Sequence, residues 1–338
     1  MVTRDTPWPA GTPCWVDLGV GDIPKAIAFY TAQFGWNVEQ GGPEVGGYSI
    51  GNLDGKAVAG IGPLQGPPGT PAAWTTYLAT EDADATVAKI KGAGGQLLTD
   101  PMDVMDVGRM AIALDTTGAA FGIWQHRAFF GAQVANAPGA LSWNEHMSRD
   151  FEGAKAFYAA VFGYEFGDMS SDGFSYATLL LGGHEVGGIG QYPEGTPAVP
   201  AAWTTYFATA DTDASVAQAT RAGGNVIRPA EDSPYGRLAT VTDDQGAVFS
   251  LISLPPGELQ GCLGDAALLT AETPFTAETP FRRTACVPSA PPRIAPRPAA
   301  WWWCQVPPRP AALRSGARCS AASLAAGRRG RCPPRRAA

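Results

Sequence analysis

The feature that most constrains the fold is a long internal repeat. The segment Ala72–Tyr77, AAWTTY, returns unchanged at Ala201–Tyr206, 129 residues later. The segment Gly21–Trp36 is likewise matched by Arg149–Tyr164, at a shift of 128. Matches that keep one order and nearly one shift indicate a tandem duplication, and the period is far longer than that of a solenoid repeat. We therefore predict two homologous modules.

Within each module, the sequence predicts short strands and amphipathic helices in an order that occurs twice. A strand at Cys14–Val20 precedes a helix that Asp22 caps and Gly35 ends. Three strands follow, and the same order then returns, so each module is predicted to contain two βαβββ units in an α+β fold. The predicted boundaries are a flexible lead-in at 1–12, module 1 at 13–126, a linker at 127–139, module 2 at 140–254 and a disordered tail at 261–338.

Charge and cysteine content limit the function classes. Twelve of the 24 basic residues but only three of the 31 acidic residues lie in 261–338, so residues 1–260 carry a net charge of −16. An acidic body argues against nucleic acid as a partner, and no apolar run predicts a membrane span or a secretory signal. Cys14 is the only cysteine before the tail, which argues against a thiolate zinc site. We expect a cytoplasmic protein with a small-molecule ligand, and a homodimer stays open.

The tail differs in composition from the rest of the chain. Residues 261–338 are rich in Ala, Arg and Pro and show no sustained strand or helix periodicity, which predicts disorder. One interpretation is an Arg-rich arm for an anionic partner. The other is the out-of-frame end of a GC-rich gene, and the narrow composition favours it.

Several motifs carry a resemblance to a known family. Val20-x-Asp22 is followed by a helical AFY, and D-x-x-G-x-x-F occurs at Asp115–Phe121 and, as DDQGAVF, at Asp243–Phe249. Residues 13–253 thereby resemble the vicinal oxygen chelate superfamily, which includes glyoxalase I, bleomycin-resistance proteins and extradiol dioxygenases. The two-module layout is similar to that of actinobacterial proteins labelled "glyoxalase" or "hydroxylase". The resemblance implies that each module rolls its strands into a cupped, incomplete barrel.

The same resemblance implies a divalent metal, held in the cup by His, Gln or Glu on the first, fifth and last strands. Transferred onto this chain, those places are occupied by residues that supply neither imidazole nor carboxylate. The three histidines of the chain, His126, His146 and His184, lie elsewhere. We therefore expect no cofactor, although a divalent metal with other ligands stays open. The six transferred positions are Trp15, Trp74, Gly122, Trp143, Trp203 and Ser250.

In place of the metal site, the pattern predicts a pocket lined by indoles. Asp17 lies two residues after Trp15, and therefore on the same strand face; Glu145 and Trp143 repeat this spacing. Alternatively, the tryptophans fill the barrel as core and local donors satisfy the acids. The repeated acid favours a pocket, because a carboxylate is seldom buried without a partner or a purpose. The predicted ligand-binding residues are Trp15, Trp74, Thr76, Trp143, Trp203 and Thr205, with Asp17 and Glu145 as candidate catalytic residues.

Other polar residues have simpler interpretations. His146 is predicted to point away from the cup, because adjacent strand residues face opposite sides. Arg109 and Arg237 follow matched glycines and either hold a substrate anion or close a loop ion pair, of which we favour the second. Tyr30 and Tyr158 lie on apolar helix faces and are predicted to be core residues.

Two functions are compatible with these residues. The first is a metal-independent protein that binds a small, partly aromatic or cationic molecule. The second is a lyase, isomerase or oxygenase-like enzyme acting on a reactive carbonyl or quinone, with Asp17 and Glu145 as general bases. Whether the protein is an enzyme, and whether one module or both are active, stays open at this point.

Overall fold

The computed structural model describes residues 2–67, 69–171 and 173–253, so the predicted disordered tail lies outside the described residues. These residues form two mixed β-sheets with helices packed between them. The first part of the chain contains β1 (Val2–Thr3), β2 (Pro13–Val20), α1 (Ile23–Phe34), β3 (Asn37–Glu39), β4 (Ser49–Leu53), β5 (Lys56–Pro63), β6 (Ala73–Thr80), α2 (Ala83–Gly92), β7 (Gln96–Val104), β8 (Gly108–Leu114) and β9 (Ala120–His126). The second part contains β10 (Val134–Ala135), β11 (Leu141–Ser148), α3 (Phe151–Phe162), β12 (Glu165–Asp168), β13 (Tyr176–Leu181), β14 (His184–Gln191), β15 (Ala202–Ala208), α4 (Thr212–Arg221), β16 (Val226–Ser233), β17 (Gly236–Thr242) and β18 (Val248–Ser253).

Each module forms one open sheet from its two βαβββ units. The first sheet has the order β3-β4-β5-β2-β6-β9-β8-β7, and the second repeats it as β12-β13-β14-β11-β15-β18-β17-β16. The antiparallel pairs β2–β6 and β11–β15 join the two units at the centre of each sheet. Because the end strands of each sheet do not pair with each other, the barrel is incomplete, and the predicted tandem α+β fold is confirmed.

The helices begin and end where the sequence predicts. Asp22 accepts a hydrogen bond from the backbone of Lys25 at the start of α1, and Gly35 ends the helix at φ 72°. That left-handed conformation favours glycine, because a Cβ would clash with the backbone. Asp150 and Gly163 repeat this arrangement at α3. Among the described residues, no helix is both long and apolar enough to span a membrane.

The two modules share their cores. Helix α1 packs against α4 of the other module, and α2 packs against α3. One apolar cluster therefore joins Phe29 of module 1 to Phe249 of module 2, and the second joins Phe121 to Phe157 in the same way. In each sheet, the face that carries Trp74 or Trp203 therefore packs in this shared core, and the opposite face, which carries Asp17 or Glu145, forms the cup.

Strand register decides which side chains reach the cup. Asp17 pairs with Thr75 and Trp15 with Tyr77, whereas Leu18 pairs with Trp74 on the helix-facing side. Because strand side chains alternate, a shift of one residue moves a side chain to the other face. The prediction that the Trp strands direct Trp74, Thr76, Trp203 and Thr205 into the cups is therefore wrong, since all four are buried in the shared core.

The lead-in is also more ordered than predicted. Strand β1 pairs antiparallel with β10 of the linker, with Val2 opposite Ala135. The indole Nε1 of Trp8 donates to the carbonyl of Ala132 at 2.9 Å. These pairings fix the lead-in to the linker, so the expectation of a flexible segment at 1–12 is wrong for residues 2–12.

Candidate functional site

The first cup contains a chain of hydrogen bonds that ends on a carboxylate. The hydroxyl of Tyr77 on β6 donates to Asp17 Oδ2 at 3.0 Å. The hydroxyl of Tyr48 donates to the same oxygen at 3.4 Å and accepts a bond of 2.9 Å from Trp15 Nε1. Gly60 makes room for this arrangement, because a Cβ there would lie 1.9 Å from the Tyr48 hydroxyl oxygen.

The surroundings of Asp17 alter its acidity. Burial raises the pKa of its carboxyl to about 6, and the hydrogen bonds from Tyr77 and Tyr48 oppose that rise. Burial and the nearby charge of Asp17 also raise the pKa of both tyrosine hydroxyls. The tyrosines therefore remain hydrogen-bond donors at neutral pH, and the carboxyl titrates within the range useful for proton transfer.

The second cup repeats this network with a longer acid. Tyr206 donates to Glu145 Oε1 at 3.1 Å, and Trp143 Nε1 donates to the Tyr176 hydroxyl at 3.2 Å. Burial raises the pKa of Glu145, whereas hydrogen bonds from Tyr176 and Tyr206 and the positive charge of Arg228 lower it. Arg228 pairs with Thr240, and at the matching place in module 1 Thr99 pairs with Ile112, so Arg228 has no basic counterpart there.

A Pro-rich loop lies beside the second cup. Arg149 Nη2 donates to the carbonyls of Thr196 and Pro197 at 2.8 and 2.7 Å, and Tyr192 donates to Pro200 at 3.1 Å. Burial and the charge of Glu145 raise the pKa of Tyr192 to about 12. Tyr192 therefore places one end of this loop near the carboxyl of the cup.

The structure brings together half of the predicted site residues. Trp15 lies beside Asp17 in the first cup, and Trp143 lies beside Glu145 in the second. The residues that sequence reasoning missed are the tyrosines that bind the acids. A usable pattern was the Gly-x-Gly on the neighbouring strand, which leaves one face free for a large side chain. The missed residues are Tyr48, Tyr77, Tyr176 and Tyr206, and the glycine pairs are Gly60 with Gly62 and Gly188 with Gly190.

The donors in the cups do not suit the divalent metal of the family. Each cup offers one carboxylate, and tyrosine hydroxyls already donate to Asp17 and Glu145. Gly122 and Ser250 lie on the cup face opposite Tyr77 and Tyr206, but neither adds an anionic or imidazole donor. Within the described ranges, no group of three or more His, Cys, Asp or Glu is placed to hold a metal ion.

The remaining polar candidates lie away from the cups. Arg109 pairs with Asp84 at 3.0 Å, and Arg237 pairs with Asp213 at 2.6 Å, so the predicted loop ion pairs are confirmed. His146 points into the shared core, as predicted. Its Nε2 lies 2.8 Å from a carboxylate oxygen of Asp115.

Comparison with known proteins assigns the family. The model of the Glyoxalase/Bleomycin resistance protein/Dioxygenase superfamily matches residues 14–123 and 145–251, one match in each module. The chain belongs to this superfamily. A Mycobacterium tuberculosis protein named "Putative glyoxylase CFP32" is 43% identical over 252 residues, covering 73% of this chain and 96% of that protein. The "Anthracycline biosynthesis protein DnrV" of Streptomyces peucetius is 37% identical over 270 residues, covering 76% and 97%.

Solved structures of the superfamily share the fold at low identity. The Mn(II)-bound glyoxalase of Novosphingobium aromaticivorans has a TM-score of 0.52 at 16% identity, covering 72% of this chain and 82% of its own. The 2,2',3-trihydroxybiphenyl 1,2-dioxygenase of Sphingomonas wittichii has a TM-score of 0.53 at 13% identity, covering 72% and 91%. These superfamily structures therefore support the fold, and the chemistry of the cups has to be argued from this chain.

Proposed function

We propose that the protein binds a small aromatic molecule in a cup, through the carboxyl–tyrosine network and without the metal site of its superfamily. The observation that carries this proposal is the acid of each cup, held by tyrosine hydroxyls and bordered by an indole. Apolar walls with a few oriented polar groups are typical of small-molecule sites. The indole supplies a flat face, and the acid and the hydroxyls accept or donate hydrogen bonds.

The ligand chemistry follows from these groups. A phenol or hydroxyquinone would donate its hydroxyl to Glu145 and accept from Tyr206, while its ring lies against Trp143. An amine on the same molecule would add attraction to the acid and to the indole face. The anthracycline assignment of the relative DnrV supports polycyclic hydroxyquinones as the class to test first.

An enzymatic role is the second candidate, and the acidity of Asp17 favours it. A carboxyl with a pKa near 6 is suited to accept a proton at neutral pH, and Glu145 is shifted in the same direction. In this case the acid would remove a proton from the substrate, and the tyrosine hydroxyls would stabilise the oxyanion that forms. The substrates would be reactive carbonyls or quinones, in a lyase, isomerase or oxygenase-like reaction.

A titration with doxorubicin, a soluble hydroxyanthraquinone that carries an amine, tests both candidates. We expect saturable quenching of tryptophan fluorescence in the full chain. Glu145→Gln removes a charged partner, and it should weaken binding by roughly 10- to 100-fold. Glu185→Gln, which changes an exposed acid on β14, is the matched control and should bind as the parent does.

The visible absorption of the same samples separates the two candidates. Stable absorption with tight binding supports a binding protein. A time-dependent change that Glu145→Gln or Asp17→Asn abolishes, with binding retained, supports the enzyme. If the parent protein does not bind doxorubicin or smaller phenols, the proposal of an aromatic ligand is wrong.

A further inference from the structure

A residue of the linker fills the first cup. Phe129 follows β9 closely, and its ring stands edge-on to Trp15, with centroids 4.8 Å apart and an interplanar angle of 88°. It also lies 6.0 Å from the ring of Trp124 at 77°. The backbone is fixed as well, because Trp124 Nε1 donates to the Phe129 carbonyl at 2.8 Å and Phe129 N donates to Val107 at 3.0 Å.

This arrangement buries the indoles of module 1. Trp15 is 3% exposed and Trp124 is 7% exposed, and the partly buried Met110 and Ile112 complete the apolar wall. Edge-to-face contacts at these separations are favourable for aromatic pairs. The first cup therefore shows how this face of the sheet holds an aromatic ring. The ring packs against Trp15, which is joined to Asp17 through the hydroxyl of Tyr48.

The second cup keeps the first-strand tryptophan, but Ile252 stands where the first cup has Trp124, and no phenylalanine stands at the position that corresponds to Phe129. At the shift of 128, Trp143 corresponds to Trp15, and Gly257 corresponds to Phe129. Gly257 lies outside the described residues, and the sequence from 254 to 260, LPPGELQ, contains no aromatic residue. Trp143 packs beside Leu238 and Ile252 and is only partly buried.

We infer that Phe129 is an internal occupant of the first cup and that the ring-binding site of the protein is confined to module 2. In that module, the ring of the ligand takes the place beside Trp143 that Phe129 takes beside Trp15. This inference rests on the proposed function for its ligand and adds the position and the number of sites. Removal of the Phe129 side chain should turn the first cup into a second site for a flat phenol.

Equilibrium dialysis with 2-naphthol, a flat phenol with two fused rings, measures the number of sites. We expect about one equivalent at saturation for the full-length parent and about two for Phe129→Ala, because each cup holds one ring. Trp143→Ala should weaken the single site of the parent by about tenfold. In the double variant Phe129→Ala/Trp143→Ala, only the new site should bind with the higher affinity.

Phe162→Ala is the matched control, because Phe162 is also a partly buried ring but packs in the core shared by the modules. It should leave the stoichiometry at one. If Phe129→Ala lacks a cooperative thermal transition, Phe129→Val provides the same test with a smaller loss of packing. Two equivalents bound by the parent, or one bound by a folded Phe129→Ala, would overturn the inference.

The two proposals fail in different ways. A parent that binds no 2-naphthol contradicts the proposed function of module 2. Under that result, uptake of one equivalent by Phe129→Ala alone would still support Phe129 as the occupant of the first cup. A parent that binds one equivalent through Trp143, with no gain in Phe129→Ala, keeps the proposed function and overturns the internal occupant.

Discussion

The core between the sheets and the cups on their outer faces have diverged to different extents. In the core, the hydroxyl of Tyr30 from module 1 donates to Asp243 of module 2 at 3.1 Å and accepts from Trp74 Nε1 at 3.1 Å. The other half of the molecule repeats these bonds. In the cups, by contrast, the acid changes from Asp17 to Glu145 between the modules. The duplication thus kept the tyrosine–aspartate bonds that join the modules and changed the length of the acid in the cups.

The repeated core bonds differ in one partner. Tyr158 donates to Asp115 at 2.9 Å and accepts from Trp203 Nε1 at 2.7 Å, as Tyr30 does in the other half. Asp115 also lies 2.8 Å from His146 Nε2, and the residue that corresponds to His146 in module 1 is Leu18. Asp115 therefore has one more side-chain partner than Asp243. Variants of the two aspartates can be compared to measure what His146 contributes.

The largest effect is expected when that aspartate is removed. Asp115→Ala leaves the buried Tyr158 hydroxyl and the His146 imidazole without their shared acceptor. We expect the free energy of unfolding to fall by about 3–5 kcal/mol, because two buried polar groups lose their partner at a cost of about 1–3 kcal/mol each. Asp243→Ala, the matched variant without a histidine, should cost about 1–3 kcal/mol. Urea denaturation of the full chain measures both values, and equal losses would show that His146 adds nothing to the core.

A second pair of variants tests whether the two cups share one architecture. Gly60→Ala would place a Cβ 1.9 Å from the Tyr48 hydroxyl oxygen, and Gly188→Ala would do the same to Tyr176. Each variant must push its tyrosine aside, at a cost of about 1–3 kcal/mol typical of overpacking. Only Gly188→Ala should also weaken phenol binding, because the proposed ligand site lies in module 2. Chemical denaturation and 2-naphthol dialysis report the two effects separately.

A smaller effect is expected from pH. The unfolded Asp17 carboxyl ionises near 3.8, and in the folded protein it ionises near 6, so the folded state binds more protons between these values. The parent should therefore lose stability as the pH rises from about 4 to about 6 and change little above that range. Asp17→Asn removes this loss. With the shift discounted for the partial exposure of Asp17, the stability of the variant relative to the parent should rise by about 1 kcal/mol across the window.

Thermal unfolding of the two proteins across this pH range measures the difference. The exposed Glu39→Gln on β3 is the control, and its curve should run parallel to that of the parent. If the difference in stability between Asp17→Asn and the parent does not change with pH, the fold does not raise the pKa of the Asp17 carboxyl.

Local features of the fold follow from the sequence, but the faces of the central strands do not. Asp22 caps the start of α1 with its side chain, and Gly35 ends the helix because glycine readily adopts a left-handed conformation. Both residue types can be recognised in the sequence, and the internal repeat places Asp150 and Gly163 at the same positions of α3. The face that Trp74 occupies depends on a register set by its pairing with Leu18, far away in the chain. An assignment displaced by one residue put the tryptophan in the cup, whereas Thr75 has that position.

The hydrogen-bond networks of the cups could not be predicted from the sequence, because their partners lie far apart along the chain. Tyr77 binds Asp17 across 60 positions of sequence, and Tyr30 binds Asp243 across 213. No periodicity within one strand or helix reports such a pair. The Gly-x-Gly of Gly60 and Gly62 does indicate locally that a large side chain lies over the strand, although it does not say which one.

The smallest effect is expected at the matched surface arginines, which lie outside both cups. Arg109 binds Asp84 and Asp103, and Arg237 binds Asp213 and Asp232, so each guanidinium is committed to acids of its own module. Exposed ion pairs contribute little and are screened by salt. Arg109→Gln and Arg237→Gln should therefore lower the melting temperature slightly at low salt, and high salt should reduce the difference. Binding of doxorubicin should not change in either variant. A loss of affinity in Arg237→Gln alone would show that the proposed ligand site of module 2 reaches the start of β17.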